Sequence, residues 1–144
     1  MAVLESNTYS NIVEVGKKAV TALKNHDLEA FEKWAEQGWQ LFPEPKENWN
    51  QGYNYAKMVF KGVFDNQKFE SAKLWLNRMI SNNNHLHNFD GECQFYEGKY
   101  LFETGEFEKA LSNFKGVVKD AGLRYFEEDK KYLDFYKNPH KYIK

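Results

Sequence analysis

The chain has 144 residues, enough for one domain with a proper core. Its 20 Lys and Arg against 21 Asp and Glu leave it near neutral, without the basic excess a general nucleic-acid binder needs to neutralise phosphates. Hydrophobic residues make up 42% and aromatics 17%, which excludes a disordered chain and supplies anchors for a partner.

The single cysteine, Cys93, forbids a disulfide within a monomer and fits a reducing compartment. The first twenty residues lack a basic start followed by an apolar run, so no signal peptide is expected. No stretch approaches the ~18 apolar residues of a membrane span. A soluble cytoplasmic protein, one domain over 1–144, is expected.

In chain order, residues 9–25 place Ile12, Val15, Ala19, Ala22 and Leu23 at helical spacing, with Ser10 or Asn11 as N-cap. Asn25–Asp27 breaks the pattern, and Asp27 can cap a second helix from Leu28 to about Leu41, with Phe31, Trp34, Ala35, Trp39 and Phe42 on or near one face. Pro43–Glu44–Pro45 cannot continue it. A third helix is expected from Glu47 or Asn48 to Phe64, carrying Trp49, Tyr53, Ala56, Val59, Phe60 and Val63. After a turn at Asp65–Gln67, a fourth runs from about Lys68 to Ser81, with Phe69, Ala72, Leu76, Met79 and Ile80 inward and Lys68, Glu70, Lys73 and Arg78 mostly outward.

Asn82–Asn83–Asn84 is expected to end that helix, because asparagine competes for backbone hydrogen bonds and tolerates the left-handed conformation. A loop follows over His85–Asn88. Asp90 can cap a fifth helix, Gly91–Glu103, and a sixth runs from Phe107 to about Asp120. Between them Gly105 suits a left-handed helix end, and Ala110 is small where two helices must meet. Glu127–Lys137 reads as a short last helix. No strand signal appears.

The second helices repeat. Phe69-x-x-Ala72-x-x-x-Leu76-x-x-Met79 matches Phe107-x-x-Ala110-x-x-x-Phe114-x-x-Val117 at an offset of 38 (107 − 69), and Leu28/Phe31 matches at 41 (69 − 28). A helical hairpin recurring at such a period is a solenoid signature. The alternative is an irregular all-α bundle without true repeats.

Gly98, Gly105, Phe107, Ala110 and Phe114, with Val117 where the family has alanine, resemble the tetratricopeptide (TPR) repeat. The match is strongest over 91–124 and weaker over 53–86, where Phe60 and Gln67 replace the small residue and the glycine. This implies a TPR-like stack of three helical hairpins plus a short C-terminal capping helix. More narrowly, Phe89–Gly91 (FDG), GKYLFETGEFEKAL and AGLRYFEEDKKYLDFYKNP resemble small TPR-type immunity proteins encoded beside Rhs-type polymorphic toxins. That resemblance implies a protein that binds and occludes a cognate toxin. The wider one implies an adaptor or chaperone holding a partner's peptide.

If the repeat registers hold, the first helix of each hairpin lines one face. It exposes Asn54, Lys57 and Lys61 in the middle hairpin and Glu92, Lys99 and Glu103 in the third. Arg124 follows the last hairpin. These seven are the expected partner contacts, suited to a polypeptide by mixed charge. The plainer reading of each is a solvated helix face.

Catalytic patterns are missing. His85-x-His87 lacks a completed zinc set, since Cys93, Asp90, His26 and His140 stand at no ligand spacing. Cys93 beside Phe95 and Tyr96 reads as core. Gly91…Gly98–Lys99 lacks the strand and the hydroxyl of a phosphate loop. Glu127–Asp129 reads as helix-dipole charge rather than a catalytic pair. No enzyme activity, cofactor, metal, nucleic acid or membrane contact is expected.

Overall fold

The computed structural model describes residues 3–87 and 90–144; Asn88 of the expected loop and Phe89 of the FDG motif lie outside the described residues. Seven α-helices and no strand occur among the described residues. The chain divides into two compact units, Met1–His87 and Asn88–Lys144.

The first unit holds α1 (Ser6–Lys24), α2 (Leu28–Gln40), α3 (Asn50–Asp65) and α4 (Phe69–Leu86), with a 3₁₀ turn at Lys46–Asn48. The second holds α5 (Glu92–Glu103), α6 (Phe107–Ala121) and α7 (Lys130–Lys137), with 3₁₀ turns at Arg124–Phe126 and Pro139–Lys141. Packing joins α1 to α2, α3 to α4 and α5 to α6.

One turn closes all three pairs. His26, Gln67 and Gly105 each take positive φ (58°, 61° and 85°) two residues before the next helix. Each amide there bonds the carbonyl three residues back, onto Leu23, Phe64 and Phe102. The following amides, Asp27, Lys68 and Glu106, reach five residues back to Ala22, Val63 and Leu101 at 2.8–2.9 Å. This is the Schellman motif, which satisfies the last carbonyls of a helix. Only Gly105 has the residue type that favours the geometry, so the first two turns are held against local preference.

Within the first unit, helices step past one another in parallel. A Cβ placed on Gly16 would lie 3.6 Å from the Tyr55 ring, and one on Gly62 would lie 3.3 Å from Leu23. Both contacts pair α1 with α3 at an offset of 39 (55 − 16, 62 − 23). Glu32 accepts from Ser71, and farther along both helices Glu36 pairs with Arg78, so α2 and α4 run alongside in the same sense. Phe31, Ala35, Val59, Phe60, Val63 and Met79 are fully buried between them. Gly62 is where α3 admits a neighbour, because a Cβ there would fall 2.6 Å from the Phe31 ring.

Several sequence expectations need correction. First, α1 starts at Ser6, and neither Ser10 nor Asn11 caps it. Buried Leu4 ties the chain to the core just before, so packing fixes the entry.

Second, α3 starts at Asn50 rather than Glu47 or Asn48. The 3₁₀ turn intervenes, held by Lys46 Nζ, which donates to the Phe42 carbonyl at 2.7 Å and the Trp39 carbonyl at 3.3 Å. That lysine caps the C-terminal end of α2.

Third, the asparagine run does not end α4, which continues to Leu86 with left-handed His87 (φ 54°) as C-cap. Asn82 is fully buried and donates through Nδ2 to the Trp49 carbonyl at 2.8 Å, while His85 Nε2 shares a 2.8 Å hydrogen bond with Asn48 Oδ1. At Asn82 a tertiary partner thus replaces the local bond that the side chain would otherwise seek.

Fourth, Arg78 is not a solvated outward residue. It forks onto Glu36 at 2.8 and 3.0 Å and lies over the Trp75 and Trp39 rings at 4.4 and 5.1 Å.

The expected boundaries of α2 and α6 stand to within a residue. Asp27 caps α2 by accepting from Ala30 N at 3.1 Å, whereas left-handed Gly91 and not Asp90 is the N-cap of α5, Asp90 Oδ1 accepting from Glu92 N at 3.1 Å.

The second unit is an aromatic core. Gly98 lets Phe114 close on α5, since a Cβ would meet its ring at 2.5 Å. Phe114, Phe126 and Phe135 are fully buried. Phe135 of α7 meets Phe102 at 5.0 Å, nearly edge to face. The short last helix therefore covers the apolar side of the α5/α6 pair.

Candidate functional site

On the α1/α3 side of the first unit lies a cleft of about 270 Å³. Tyr9, Ile12, Val13 and Gly16 of α1 line one wall, and Gln51, Asn54, Tyr55 and Met58 of α3 the other, with Leu4 and Phe42 completing it. Each helix contributes positions i, i+3, i+4 and i+7, which is one continuous face. No lining residue is charged. Tyr9 and Val13 remain 42% and 37% exposed. Tyr55 is buried, donating its hydroxyl to the Ala35 carbonyl at 2.7 Å. That burial holds its phenol un-ionised well above the usual tyrosine range, helped slightly by the Glu36 charge.

Of the seven expected contacts, Asn54 alone lines this cleft. Lys57 is half-buried with its ammonium 5.6 Å from the Tyr53 ring, and Lys61 is exposed one turn farther along α3. Glu92 is half-buried in the first turn of α5.

Lys99 has a side chain only 14% exposed, 3.6 Å from Asp129 and between 5.1 and 5.6 Å from the Tyr96, Phe95 and Tyr132 rings. Glu103 accepts from the Tyr132 hydroxyl at 2.7 Å and pairs with Lys131 at 2.6 Å. Arg124 donates to the Tyr125 hydroxyl at 2.9 Å and to the Asp90 carbonyl at 3.4 Å. Lys99, Glu103 and Arg124 therefore engage their charged ends inside the second unit, tying α5 to the segment that follows α6.

The sequence reading named Ile12 as core but passed over Tyr9, Val13 and Gly16. Their signal is a second apolar stripe on α1 beside the first. An apolar arc that wide exceeds what one neighbouring helix covers.

Among the described residues, no group of three or more His, Cys, Asp or Glu side chains is placed to hold a metal ion. Cys93 is buried, and its thiol is pushed up to about 12 by burial first and then by the charges of Glu97, Glu92 and Asp90. At neutral pH this keeps it a protonated thiol rather than the thiolate that acts as a nucleophile. No helix among the described residues is long and apolar enough to cross a membrane.

No family model, curated protein or solved structure matches the chain.

Proposed function

We propose that this protein is a non-catalytic, TPR-like module whose work is to grip another protein in the cytoplasm. The uncharged cleft between α1 and α3 carries the reading. It is concave and mostly apolar, and two of its hydrophobic side chains, Tyr9 and Val13, are left exposed, the composition of an interface core awaiting a partner. The identical closure of three helix pairs and the parallel stepping in the first unit support a repeat scaffold, a type of structure that offers surface rather than chemistry.

The narrower reading is an immunity protein that occludes a co-encoded toxin. It rests on the resemblance of the last 60 or so residues, a span of several helices. Much of that stretch builds core, including Gly98, Ala110, Phe114, Phe126 and Phe135. Those residues specify the scaffold, and recognition falls to exposed side chains such as Tyr9, Val13, Asn54 and Lys61.

The test is co-expression with the toxin-like product of the neighbouring gene, with titration calorimetry on the purified pair. Growth rescue and a single partner bound near nanomolar strength support immunity. Micromolar binding to many extended peptides supports a general adaptor. Absence of any polypeptide partner overturns both.

A further inference from the structure

We draw no further inference here: the strongest candidate, the apolar cleft between α1 and α3 above the Tyr55 ring, already belongs to the site described above, and nothing in the structure shows what covers it.

Discussion

His26 and Gln67 occupy left-handed turn positions that the third pair fills with glycine. A β-carbon there costs roughly 1 kcal/mol in backbone strain. Gln67→Gly is therefore expected to raise stability by a few tenths to about 1 kcal/mol, the gain partly offset by the freer unfolded chain. Gly105→Ala should lower stability by a similar amount. Urea denaturation of both variants checks the pair, and equal midpoints would contradict the turn assignment.

Cys93 gives a second residue-scale expectation. Its raised pKa and burial predict negligible reaction with a disulfide reagent at pH 8 in the native protein and rapid reaction in denaturant. Fast native labelling would show that the helix around it opens readily.

The Glu36–Arg78 fork ties one element to another. Burial alone would raise the Glu36 carboxyl, but hydrogen bonds from Arg78 and Gln40, with the charges of Arg78 and Lys46, hold it below the ordinary value of 4.5. A depressed carboxylate stabilises the fold above its unfolded pKa, and the contribution disappears as pH falls through the lower folded value. Glu36→Gln should flatten the fall in urea midpoint expected of the wild type below about pH 4.5. Arg78→Ala removes the fork and the cover over two tryptophans, and is expected to cost about 1–3 kcal/mol.

The last turn of α4 depends on Asn82 in the same way. Asn82→Ala removes one of the two donors to the part-buried Trp49 carbonyl, which keeps Gly52 N at 3.0 Å, and should cost about 0.5–1.5 kcal/mol. Amide exchange should speed up over residues 82–86 and not over α2 if the effect is local. In the second unit, Phe135→Ala empties the contact of α7 with Phe102, at an expected cost of about 3–5 kcal/mol.

For the whole molecule, the cleft reading makes a separable prediction. Tyr9 and Val13 are partly exposed, so Val13→Asp should leave helicity and the melting temperature nearly unchanged. The same change puts a charge into an apolar contact and should weaken partner binding at least tenfold by calorimetry. Lys99→Ala is the informative contrast. It should lower stability while leaving affinity alone, because that ammonium is engaged inside the second unit. The opposite pattern would move the binding face to α5.

Short-range information made much of the helical plan readable. The period of Phe69, Ala72, Leu76 and Met79, the cap at Asp27 and the glycine at 105 each act within a few residues. They determined an all-α chain, the turns between paired helices and most of the buried set. What only the tertiary structure decided lay between residues distant in sequence. Asn82 sits inside α4 with its amide on the Trp49 carbonyl, a partner that local preference cannot foresee. Arg78 and Lys99 turned inward because partners from other segments receive them, Trp39 and Glu36 for Arg78 and Tyr132 and Asp129 for Lys99. The cleft lies where α1 meets α3, with Gly16 beside the Tyr55 ring from 39 positions away (55 − 16). Helical spacing records which faces are apolar; which neighbour covers each face, and which face is left open, depends on packing that no single segment encodes.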